Sequence, residues 1–217
     1  MNQHALLFFL RGQGLKFAVI VFTFGLIYRL LHPVLLGRKK NLAAPRGGEW
    51  GPGMRTIWHR SLFPVRLTPR GHFIIIAGYI FHLGFLITLL FLSQHIELVK
   101  NTFGIYWPAL PPGAISIAAV LSIAALAALF VHRITDPVKR LISDFQDYLV
   151  WVLTLLPLLT GLTLDMAADY QRMLVMHIIS VELLLVAIPF TKLAHMLTTF
   201  SSRWYNGAIA GYKGVKA

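Results

Sequence analysis

Five runs of about twenty mostly apolar residues constrain this chain more than any other feature of its sequence. Coiled as an α-helix, a run of that length matches the roughly 30 Å hydrocarbon thickness of a bilayer. A helix also satisfies its own backbone there, which an irregular segment cannot do. The runs cover 15–36, 72–93, 113–132, 147–164 and 172–197. They predict an all-α integral membrane protein, a single five-transmembrane-helix bundle occupying residues 1–217. Charged residues make up 13% of the chain, where a soluble domain carries about 25%, and 57% is hydrophobic. A soluble globular domain and a disordered chain are both excluded by that balance. The short apolar stretch at 5–10 is followed by no small-residue cleavage site, so the first helix is expected to stay in place. Pro157 falls inside the fourth run, as membrane helices tolerate.

The net charge of +12 is distributed between the runs. With the N-terminus outside, sixteen of the twenty Lys and Arg residues fall on the inner face and four on the outer: Arg11, Lys16, Lys100 and Arg172. The asymmetry predicts an outside N-terminus and a cytoplasmic C-terminus. Tyr106 and Trp107 then sit at the outer interface, and Trp204 and Tyr205 at the inner one. The positive charge therefore points to membrane lipid as a partner and to no nucleic acid. The loops at 37–71 and 94–112 and the tail at 201–217 are read as irregular. The first loop and the tail are candidate docking surfaces, or basic segments held near anionic lipid.

Cysteine is absent and histidine occurs nine times, so imidazole is the strong metal ligand available. An ionisable residue inside a span is costly and is a functional suspect. The second run carries His72 and His82, and the fifth carries His177 and His195. His4, His32, His59, His95 and His132 fall in tails, loops or helix ends. On one straight helix, His177 and His195 share a face about 27 Å apart, and His72 and His82 lie about 15 Å apart, some 80° off a common face. The two runs are antiparallel. His72 then pairs with His195 near the inner surface, and His82 with His177 nearer the outer one. Two crosswise imidazole pairs are what two haems b require, with all four histidines as axial ligands of iron. Gly71, Ala77, Gly78 and Gly84 leave room beside them, and are also ordinary helix-packing residues. Arg70, Arg133, Lys192 and Arg203 are placed to meet haem propionates, and serve equally as inner-face anchors. The same histidines admit two other readings. They are hydrogen-bonded packing residues, or, with Glu182 of the fifth run, a transmembrane metal or proton transport path. The path leaves the two matched spacings without a purpose.

Phe81-His82-Leu83-Gly84, Pro189-Phe190-Thr191-Lys192-Leu193-Ala194-His195 and the two histidine spacings resemble the membrane cytochrome b (gamma) subunit of respiratory nitrate reductase. The resemblance spans the second to fifth runs. The chain is also similar to membrane subunits of sulfur-metabolism and heterodisulfide-reductase-like complexes, residues 133–148 at least as well. In the nitrate reductase family the first ligand follows Phe and stands one residue before Gly, whereas His72 stands in Arg70-Gly71-His72-Phe73. The resemblance implies five helices, two haems b and a quinol site. It assigns His72 and His195 to the proximal haem, and His82 and His177 to the distal haem. Lys100 takes the place of the quinol-site lysine. The implied function is a subunit of a prokaryotic inner-membrane respiratory complex that oxidises quinol from the quinone pool. Its electrons pass to an iron–sulfur subunit and a catalytic subunit at the cytoplasmic face. A chain without cysteine cannot hold that iron–sulfur centre by thiolates. Glu97, Asp165 and Asp169 are candidate outer-side proton acceptors, with a solvated loop as the favoured reading. Glu182 is a candidate partner of a ligand histidine or carrier of protons, and His132 a competing ligand.

Overall fold

The computed structural model describes residues 3–37, 42, 44–62 and 69–215, and these are helical or irregular, with no strand among them. Among the described residues, nine α-helices carry the fold. Helix α1 is Gln3–Leu35, α2 Trp50–Leu62, α3 Pro69–Phe91, α4 Ser93–Phe103 and α5 Pro112–Thr135. Helix α6 is Pro137–Ile142, α7 Phe145–Leu162, α8 Tyr170–Ala187 and α9 His195–Tyr212. Five helical stretches are long and apolar enough to cross a membrane: Gln3–Leu35, Gly71–Phe91, Pro112–Thr135, Phe145–Leu162 and Tyr170–Phe190. Their outward side chains are apolar, with Phe17 63%, Phe24 68%, Ile76 59% and Ile117 63% exposed. Such faces are stable against lipid and not against water. The chain is a multi-pass membrane protein.

Three expectations change. The segments at 37–71, 94–112 and 201–217 are not wholly irregular, because α2, α4 and most of α9 lie in them. These helices mix apolar and polar residues, so no run of spanning length announced them. Helix α1 starts twelve residues before the expected boundary, with a π-helical turn at Leu10–Gly14. The run at 172–197 is not one helix. Pro189 has no N–H to donate and its ring crowds the preceding turn, so α8 passes into a 3-10 turn at Ile188–Phe190. Thr191 is extended (φ −118°, ψ −179°), a second turn covers Lys192–Ala194, and α9 begins at His195. The single-face relation between His177 and His195 assumed a straight helix and does not hold.

The residues cluster into two compact units, Met1–Lys16 with Pro69–Leu184 and Phe17–Thr68 with Leu185–Ala217. In the first, α3 packs on α5 through small residues. A Cβ on Gly84 would stand 2.6 Å from the Ala118 carbonyl oxygen, so only glycine permits this approach. The buried Ser122 hydroxyl donates to the Phe81 carbonyl at 2.9 Å, as helices pack in lipid. Asp136 caps α6, accepting from the Val138 and Lys139 N–H groups. Asp144 and Asp147 form a reciprocal capping box at α7. Arg133 closes α5 onto α7 through Asp147 at 3.1 Å.

In the second unit, α2 packs on α9, with Gly207 against Thr56 and Pro52. Arg203 donates to the Ser61 hydroxyl at 2.6 Å. Arg29 of α1 donates to the Pro189 carbonyl at 2.7 Å. That contact gives a partner both to an arginine within a span and to a carbonyl at the helix break.

Candidate functional site

The end of α3 builds the most informative site. Leu92 is extended (φ −72°, ψ 128°), so the helix stops and its last carbonyls lose their helical donors. Each finds another. The Leu89 carbonyl accepts from His95 Nδ1 at 3.0 Å, the Leu90 carbonyl from the Trp107 indole at 2.7 Å, and the Phe91 carbonyl from the Leu110 N–H at 3.1 Å. The break thus fixes the His95 ring at the start of α4.

Opposite it stands His177 of α8. Thr160 of α7 gives its hydroxyl proton to the Leu156 carbonyl at 2.7 Å, so its oxygen accepts from His177 Nδ1 at 3.1 Å. The neighbouring Ser180 hydroxyl donates to the His177 carbonyl at 2.7 Å. Gly161 lets the ring lie close to α7, since a Cβ there would be 3.1 Å from its Cε1 atom. The His95 and His177 rings are 6.3 Å apart between centroids and 7° from parallel.

The tautomers follow from the partners. A carbonyl only accepts, so Nδ1 of His95 carries the proton and Nε2 keeps its lone pair. The same holds for His177 through Thr160. His82 Nδ1 donates to the Gly78 carbonyl at 2.7 Å, and His195 Nδ1 to the Lys192 carbonyl at 2.8 Å. In all four the Nδ1 side is anchored and the ring is poised to bind metal through Nε2, as metal-ligating histidines are held. Two imidazoles bonding one metal from opposite sides at about 2 Å have centres about 6 Å apart. The His95 and His177 rings, stacked with centroids 6.3 Å apart, have a separation of that size.

Of the four expected ligands, His177 therefore has an imidazole neighbour, and it is His95, at the start of α4 and not in an irregular loop. No spacing in the sequence marked it, because His95 stands just past Leu92, whose extended backbone ends the helix. His82 lies exposed on α3, and His72 lies exposed near its start. His132, at the end of α5, is T-shaped to Phe73, with ring centroids 5.3 Å apart. Lys100 shares α4 with His95, five residues on, and its Nζ lies 5.5 Å over the Tyr106 ring. Arg133 is held by Asp147 and by the Ser143 hydroxyl at 3.0 Å. Lys192 supplies its carbonyl to His195. Arg203 lines a cavity of about 530 Å³ with Arg60, Thr198, Ser202 and Asn206. The Arg70 side chain lies outside the described residues.

Glu97 is exposed on α4, and Asp165 lies exposed in the 3-10 turn after α7. Asp169 accepts from the Arg172 N–H at 3.0 Å and pairs with its guanidinium at 3.2 Å. Each reads as a surface residue here. Glu182 turns away from the histidine pair, towards α1, where Gly14 is its neighbour.

A curated protein of Nitratidesulfovibrio vulgaris (strain Hildenborough), named only "Protein", is 29% identical over 204 residues, covering 90% of this chain and 89% of its own. The likeness thus runs the length of both. No family model matches the chain. No solved structure matches it.

Proposed function

We propose that this chain is a b-type cytochrome subunit of a prokaryotic inner-membrane respiratory complex. It oxidises quinol and hands electrons to an iron–sulfur or catalytic partner on the cytoplasmic side. The observation that carries the reading is the His95–His177 pair, with parallel rings at 6.3 Å and each Nδ1 tied to an oxygen. His95 and His177 would hold one haem b between them, with His95 taking the place first given to His82. When bound, the haem supplies one-electron transfer at a potential set by its ligands, their hydrogen bonds and burial.

The chain's own residues perform the rest. The Leu89 carbonyl and the Thr160 hydroxyl fix the orientation of the two rings and raise their basicity. Gly161 keeps the space beside the ring open. His82 and His195 carry the same Nδ1 anchorage. Lys100, on the same helix as His95, is the candidate for holding a quinol hydroxyl. The likeness to the nitrate reductase gamma subunit and its sulfur-metabolism relatives supports the quinol and partner assignments.

A dithionite-reduced minus oxidised spectrum of the purified full chain, with pyridine-haemochrome quantitation, tests the reading. A b-type band is expected, together with loss of one haem in His95→Ala. A folded, cofactor-supplied preparation without haem would overturn it.

A further inference from the structure

Glu182 lies inside the span Tyr170–Phe190, where an ionised carboxylate is costly. Its Oε1 is buried and has no hydrogen-bond partner among the described residues. It rests against Gly14, where a Cβ would come within 2.7 Å of Oε1, so the carboxyl occupies the space that glycine leaves. Gly14 closes the π-helical turn Leu10–Gly14, and π turns recur at functional sites. Towards the amino ends of the same two helices lies a cavity of about 430 Å³, lined among others by His4, Arg11, Tyr170 and Gln171. Gln171 and Glu182 are eleven residues apart, three turns and within about 20° of one face of α8. Helical side chains lean towards the amino end, so Glu182 and Arg11 both lean in the direction of the cavity.

We propose that Glu182 is a proton-exchanging carboxyl within the membrane, reached from the cavity between the amino ends of α1 and α8. The step is a reversible proton transfer. A proton arriving with water forms an O–H bond on the carboxylate, and the same bond breaks when it leaves, with no oxidant or reductant involved. Besides Glu182, the titratable groups on the two helices are His4, Arg11, Lys16, Tyr28, Arg29 and His32 of α1, and Tyr170, Arg172 and His177 of α8. His177 is about 140° round α8 from Glu182 and turned to α7. The carboxyl therefore does not serve as its hydrogen-bond partner.

Infrared spectroscopy of the full chain in detergent or vesicles at pH 7 tests the proposal. A protonated carboxyl C=O band is expected that disappears in Glu182→Gln and shifts within minutes in D₂O. Peptide mapping after dicyclohexylcarbodiimide treatment should place the label on Glu182 in the unaltered chain, which decides the matter even if the variant fails to fold. An absent band with no label would mean an ionised carboxylate and overturn the proposal. A band unmoved by D₂O for hours would mean a sealed structural carboxyl and overturn it equally. Neither measurement depends on haem, so failure here is distinct from failure of the cytochrome reading.

Discussion

The imidazole of His95 lies 6.3 Å from that of His177 and within 7° of parallel, although the residues belong to helices far apart in sequence. If they share one iron, removing either removes the same haem. His95→Ala and His177→Ala should each lower the pyridine-haemochrome count by one per chain, and the double variant should lose no more. His72→Ala should leave that haem in place. A double variant that loses two haems would refute the pairing.

Thr160 holds the His177 ring through a hydroxyl that an isosteric valine lacks. Thr160→Val should weaken haem retention about 10–100-fold, the usual effect of losing a ligand's orienting partner. Thr160→Ser should retain most of it. Haem transfer to apomyoglobin gives the ratio directly.

A side chain at Gly161 meets the same ring from the α7 side, since its Cβ falls 3.1 Å from Cε1. Gly161→Val should displace the ring and lower haem content more than Gly161→Ala does. Helix content by circular dichroism should be unchanged in both.

Arg133 and Asp147 join α5 to α7 at 3.1 Å, with side-chain exposures of 31% and 11%. Asp147→Asn keeps an oxygen for the capping box and removes the charge. The expected loss is about 1–3 kcal/mol, below the 3–5 of a fully buried pair because Arg133 is partly exposed. A lower melting temperature in detergent, insensitive to haem loading, checks it.

Asp136 is held below the usual carboxylate range, chiefly by the Lys139 N–H; desolvation opposes this, and the Val138 N–H and the charges of Lys139 and His132 add to the lowering. Its folded value is depressed. The cap is therefore complete above the ordinary carboxylate pKa of about 3.9 and is lost only as pH falls through the lower folded value. Asp136→Asn should lower stability by a constant amount between pH 5 and 8, and the difference should shrink in acid as the native carboxyl takes up its proton. Melts of both proteins across that range provide the check.

The spans were legible because long apolar runs are a one-dimensional signal, and their ends fall within a few residues of those expected, apart from α1 and the last run. The helices α2, α4 and α9 were not, since their residues are neither apolar throughout nor repeated at spanning length. The ligand question turned on two helix breaks. Spacing arguments presume a straight helix, and Leu92 and Pro189 each end one. His95 became visible only once the turn at Leu92 was known, and His195 proved to open α9 instead of extending α8. Nδ1 anchorage depends on carbonyls that those breaks expose, a fact that no residue count contains.

The π turn at Leu10–Gly14 gives helix α1 an angular phase of its own. One residue more than an α-helix needs is stored there, and everything before it is rotated by about 100° relative to an uninterrupted helix. The segment Gln3–Phe9 thus carries a dial setting that its own sequence does not specify. A single-residue deletion within 10–14 would turn that dial back, swinging His4 away from Tyr170 and Gln171 while leaving the composition of the span almost untouched.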